Sequence, residues 1–174
     1  IIGYMGTINS TRLDGELLYQ IISQRPDYSF VFTGPEDDGF RQHRIHSLKN
    51  AYFTGQKKVD ELPAYITAYD VCINPQMVND ITDGNYPLKI DEYLAMGKPT
   101  VATSTHTMRH IFADHTHLAT NPEEWLSAID RAVTEADDKE LAKQRIAFAE
   151  THSWGHSVKK IYGIIDNFLK EKAT

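Results

Sequence analysis

The segment Tyr86-Pro-Leu-Lys-Ile-Asp-Glu-Tyr-Leu-Ala-Met-Gly-Lys-Pro-Thr-Val-Ala-Thr103 constrains the fold of this chain more than any other. It sets a helix start, a helix stop and a buried strand in direct succession. Pro87 suits the first helical turn, where its missing N–H has no partner to lose. Gly97 suits the position just past the last turn, where the backbone must go left-handed. Pro99 bars further helix, and Thr100-Val-Ala-Thr103 is β-rich and apolar, so a strand begins at once. A helix that hands over to a strand so abruptly belongs in a layered α/β sheet.

The rest of the chain repeats that alternation. Strands are expected over Ile1–Gly6, Tyr28–Thr33, Ala51–Thr54, Asp70–Asn74 and His117–Ala119, in addition to Thr100–Thr103. Helices are expected over Asp14–Arg25, Asp38–Leu48, Val59–Ala68, Leu88–Met96, Pro122–Glu135 and Lys139–Glu150. A short helix is expected at Met108–Phe112 and a long C-terminal one over 154–172. This pattern predicts one α/β domain over 1–174, a Rossmann-like, doubly wound parallel sheet of about six strands with helices on both faces. Ligands of such sheets lie outside the carboxyl ends of the strands. The loops Thr7–Arg12, Gly34–Gly39, Gln56–Val59, Gln76–Asn85 and Ser104–His110 all follow strands, which predicts one shared cleft.

Composition narrows the chemistry. A hydrophobic content of 41% sustains a globular core, and a net charge of −6 gives no global field for nucleic acid. No apolar run approaches the roughly 18 residues of a membrane span. The one cysteine, Cys72, excludes an intrachain disulfide and points to a reducing, cytoplasmic setting. The opening Ile1-Ile-Gly-Tyr4 reads as the inside of a strand, as expected of a domain excised from a longer parent.

Lys89 and Glu92 lie three apart, on one face near a helix N-terminus. On spacing alone they also read as a surface ion pair worth under about 1 kcal/mol. The helix end carries free N–H groups and partial positive charge, which favour phosphate. A cation for phosphate beside a carboxylate for hydroxyls suggests a sugar nucleotide. His106, His110, His115 and His117 invite a zinc reading, but no glutamate follows His106 as a metalloprotease helix needs. His43 and His46 are expected to face solvent. Trp154 is expected in the core or between domains, and Tyr162, Ile165 and Leu169 as a packing stripe.

With these residues in place, the chain resembles the C-terminal, donor-binding half of a GT-B glycosyltransferase of the family 4-like group. The Glu92-Tyr-Leu-Ala-Met-Gly-Lys-Pro99 run carries the resemblance, with Ile2-Gly-Tyr-Met-Gly6, Tyr28-Ser-Phe-Val-Phe-Thr-Gly34, Phe53–Tyr65, Tyr69–Pro75 and His152-Ser-Trp154 in the family's order. It implies a retaining transferase that takes a UDP or GDP sugar, as in polysaccharide biosynthesis, with no metal or other cofactor. The acceptor site would lie in a missing N-terminal domain, which would leave this half inactive alone. The parent would work in the cytoplasm, at the inner face of the membrane if membrane-associated. Lys89 and the N–H groups around Leu88 would hold the diphosphate, with Arg12 the nearest other cation. Glu92 would accept the ribose hydroxyls, and Lys57 and Val59 would present backbone groups to the base. Gly6 would let the backbone approach the donor, and Asp83, Gly84 and Asn85 would line the sugar. The family usually carries two glutamates eight positions apart. Glu92 matches the second, but Gly84 stands where the first would be, beside Asp83. A sugar-nucleotide epimerase of the same fold and a receiver-like binding module are the alternatives. The receiver needs an acidic cluster after the first strand, where Gly6-Thr-Ile-Asn9 stands instead.

Overall fold

A computed structural model describes residues 1–172. Six parallel strands form one sheet: β1 Ile2–Met5, β2 Phe30–Thr33, β3 Ala51–Gly55, β4 Val71–Asn74, β5 Thr100–Thr103 and β6 His117–Ala119. Their order is β3-β2-β1-β4-β5-β6. The helices are α1 Gly15–Ser23, α2 Asp38–Arg41, α3 Leu62–Ala68, α4 Leu88–Ala95, α5 Pro122–Thr134, α6 Lys139–Thr151 and α7 Trp154–Lys172. The expected Rossmann-like, doubly wound fold is therefore the observed one.

The two sheet faces carry separate cores. On one, Leu18, Ile21 and Ile22 of α1 and Trp125, Ala128 and Ile129 of α5 pack with Phe30, Phe32 and Ile73. On the other, Ile66 of α3, Ile90, Tyr93 and Leu94 of α4, and Ala149 of α6 meet Met5, Cys72 and Ala102. Strands buried on both sides read as near-continuous apolar runs rather than alternating ones, and it is as such runs that β1, β4 and β5 stand out in the sequence.

Local chemistry sets most boundaries. Asp14, Asp37, Asn121 and Asp138 cap α1, α2, α5 and α6 with their side chains. Gly97 adopts φ +71, and α4 ends in a pair of nested bonds: Gly97 N–H donates to Leu94 O (2.8 Å) and Lys98 N–H to Tyr93 O (3.0 Å).

Several expectations fail for identifiable reasons. Pro87 sits just before α4 rather than in its first turn. The helix expected over Asp38–Leu48 breaks into α2 and a 3-10 turn, Arg44–Ser47, because the His43 ring accepts the Ile45 N–H at 3.2 Å and starts a new cap. Val59–Glu61 is a 3-10 turn ahead of α3, and Met108–Phe112 is a wide π-type turn. His43 is half-buried rather than open to solvent and meets Glu16 at 3.0 Å, while His46 is exposed as expected, meeting Glu36 at 2.8 Å and stacking on Phe53. Trp154 is 87% exposed, so it is not a core residue, and Tyr162, Ile165 and Leu169 lie open along α7.

Candidate functional site

The strand order reverses between β1 and β4, and a cleft of about 790 Å³ opens at the carboxyl edge there. The loops after β1, β2, β3 and β4 all line it, through residues such as Arg12, Pro35, Lys57 and Gln76. The loop Ser104–His110 does not, so the shared cleft takes four of the five expected loops.

Lys89, in the first turn of α4, reaches across to β1. Its ammonium donates to Tyr4 Oη at 2.6 Å and lies 4.1 Å from the centre of that ring. Tyr4 Oη donates onward to Thr7 O at 3.0 Å. Gly6 makes the room: its φ is +136, and a Cβ there would stand 2.9 Å from Lys89 Nζ. Burial pushes the Tyr4 phenol well up, so the ring remains a neutral acceptor. Burial pushes Lys89 down to about 8; Glu92 opposes that shift and Arg12 adds to it. Glu92, one turn on, is raised chiefly by burial, with Lys89 pulling the other way. Both groups line the cleft, and they form no direct ion pair among the described residues. The surface-pair reading is thereby replaced by two separate groups facing one space.

The start of α4 opens on the same cleft through Tyr86, Pro87 and Leu88, and no side chain caps it. Its free N–H groups and partial positive charge thus lie beside the Lys89 ammonium.

The remaining sequence candidates divide. Arg12, Lys57, Asn85 and Leu88 are on the cleft wall with Gly6, Lys89 and Glu92. Val59, Asp83 and Gly84 are outside it. Val59 is 83% exposed. The Asp83 carboxylate accepts the His106 N–H at 2.7 Å, tying the loop after β4 to the loop after β5. The four histidines disperse. His106 and His110 face each other at 4.2 Å, His115 stacks on Phe148, and His117 meets Glu135 at 2.9 Å. No group of three metal-ligating side chains occurs among the described residues. Tyr4 was missed from sequence; its one signal was a polar ring inside an apolar strand, two residues before Gly6.

A six-stranded parallel sheet with a cationic, uncapped cleft at its reversal point defines a Rossmann-like, doubly wound α/β domain. Residues 2–135 match Glycosyl transferases group 1, and the chain belongs to that family. It is 27% identical over 168 residues to TuaH of Bacillus subtilis (strain 168), named as a candidate glycosyltransferase of teichuronic acid biosynthesis. That match covers 92% of this chain and 42% of TuaH. The fold matches sucrose-phosphate synthase from Thermosynechococcus elongatus with a TM-score of 0.77 at 18% identity, over 98% of this chain and 46% of that one. It matches Anabaena HepE in complex with UDP with a TM-score of 0.75 at 15% identity, over 95% and 48%. The chain therefore spans less than half the length of these relatives, with the Rossmann-like fold of GT-B glycosyltransferases. Family membership favours the transferase over the epimerase and receiver-like alternatives. No helix among the described residues is long and apolar enough to cross a membrane.

Proposed function

We propose that this chain is the donor-binding half of a two-domain glycosyltransferase that moves a sugar from a nucleoside-diphosphate sugar to an acceptor hydroxyl, with retention of configuration. One observation carries the reading: the Lys89 ammonium stands over Gly6 at the uncapped start of α4, inside the cleft. Lys89 and the first N–H groups of α4 hold the diphosphate by charge-assisted bonds. The same groups stabilise the charge that develops on the nucleoside diphosphate as the glycosidic bond breaks. Glu92 accepts ribose hydroxyls, the Lys57 backbone serves the base with Val59 flanking it from outside the cleft wall, and Asn85 lines the sugar. Asp83 and Gly84 shape that loop from outside the cleft wall. The complex of HepE with UDP supports a nucleoside-diphosphate ligand.

The test is calorimetric titration with UDP, GDP, ADP and free phosphates. Saturable binding of one diphosphate is expected, and no binding to any overturns the reading. The other half of the transferase supplies the acceptor site, so this chain alone should bind donor and transfer no sugar. Measurable turnover by the isolated chain would overturn the division of labour.

The depressed Lys89 makes binding pH-dependent. The diphosphate selects the ammonium form, so affinity is full below about 8 and falls as pH rises through that value. At most one proton is involved, or about tenfold per pH unit. Titrations at pH 7, 8 and 9 should show the fall in the native chain. Lys89→Arg, which keeps its charge, should flatten it. Equal affinity at pH 7 and 9 would remove Lys89 as the ligand's cation.

A further inference from the structure

Tyr86 stands in the cleft wall immediately before the start of α4. Its hydroxyl donates to Asp91 Oδ2 at 2.6 Å, and its ring leans on Phe112 at 5.5 Å. Asp91 belongs to α4 and spends its other oxygen, Oδ1, on His152 Nδ1 at 2.9 Å. The Asp91 carboxylate is therefore turned towards Tyr86 and His152, and the N–H groups at the start of α4 have no side-chain cap. His152 follows the last residue of α6, two residues before α7 begins. Its ring meets Phe148 edge-on at 4.5 Å and Phe112 at 5.8 Å. Side-chain exposures of 24% for His152 and 19% for Asp91 keep water from replacing the pair freely. The aromatic anchors on α6 and after β5 fix the imidazole, the imidazole fixes the carboxylate, and the carboxylate fixes the phenol.

We propose that His152 is a positioning residue for the donor cleft, acting through Asp91 to hold Tyr86 and the first turn of α4 in place. The proposal rests on the reading of the cleft as the donor site. It places control of that site at the junction of α6 and α7, behind the cleft-lining ring of Tyr86, whose centre lies 6.4 Å from that of the His152 ring. Nδ1–H donation to Asp91 also offsets a carboxylate that would otherwise repel a diphosphate from the helix start. A single hydrogen bond to a charged group is large enough to matter for binding while leaving the two cores intact.

The experiment compares the native chain with His152→Ala and His152→Asn, since the asparagine amide can reproduce the Nδ1 donor. Each is titrated with UDP, GDP and ADP, its melting temperature is measured, and amide hydrogen exchange is followed at Leu88, Lys89 and Ile90. The expected result is that His152→Ala weakens diphosphate binding about fivefold and speeds exchange at those amides, while His152→Asn restores both. Native-like affinity and exchange in His152→Ala would overturn the proposal. So would equal losses in both variants that track a falling melting temperature, since that marks a merely structural contact. If the native chain binds none of the three diphosphates, the donor reading fails. The exchange measurement still decides whether His152 holds the start of α4.

Discussion

Lys89→Ala is expected to weaken nucleoside-diphosphate binding by more than tenfold. The lost group is an ammonium at the bottom of a cleft rather than a surface charge. Hydrogen bonds to charged groups are worth about 1.5–3 kcal/mol, and each 1.4 kcal/mol is tenfold in affinity. The native chain also spends nothing on ordering this side chain at the moment of binding, because Tyr4 holds it from below by a 2.6 Å bond and by its ring face. The folded state should tolerate the change. Burial already disfavours the charged form, which is what lowers Lys89 to about 8, so removing the charge relieves a cost. Calorimetry and thermal melting on the same preparation separate the two effects. Unchanged affinity would remove Lys89 from the site, and a collapse in stability would show that the Lys89–Tyr4 contact holds the fold instead.

Gly34→Ala is expected to destabilise the domain by about 3 kcal/mol or more, lowering the melting temperature by about 10 °C. Gly34 adopts φ +147, and a Cβ there would stand 2.0 Å from the carbonyl oxygen of Gly6. That neighbour is backbone, so no side chain can swing away to relieve the clash. The Gly34 N–H also donates to Gly55 O at 3.1 Å, so three loops of the cleft rim are pinned at one point. Moving Gly6 would in turn disturb the space occupied by Lys89 Nζ. Thermal or urea unfolding checks the expectation, and a loss of under about 1 kcal/mol would show the rim to be more pliant than its geometry implies. A milder change at the same place, Gly55→Ala, meets no atom within 4 Å and should cost only the strain of its own φ of +69.

What the sequence disclosed was set by local chemistry. The strands, the helix opening at Pro122 and the left-handed Gly97 follow from residues within a few positions of one another. So did the placing of Lys89 and Glu92 on one helical face, which needs only the helical repeat. What it hid depends on contacts between distant segments. Tyr4 and Lys89 meet across the sheet, and nothing in either neighbourhood announces the other. Asp83 was read as a sugar-side acid beside Gly84, yet its carboxylate is used by the backbone of His106. The helix expected over Asp38–Leu48 failed because propensity cannot foresee that one imidazole will capture a backbone N–H. For α7 the periodicity of Tyr162, Ile165 and Leu169 was real, but an apolar stripe does not name what covers it.

The position of β1 has a consequence for how the chain assembles. Ile2 pairs with Phe30 on one side and with Val71 on the other, so the first strand of the chain becomes the middle of the sheet. Every neighbouring pair of strands is parallel, and each can close only after an intervening crossover has formed. Such non-local pairing slows folding, because loop closure is paid before the contacts reward it. During synthesis β1, β2 and β3 emerge well before β4, leaving one edge of β1 unpaired and apolar until Val71 arrives. That interval is when the chain is most open to association with its own copies.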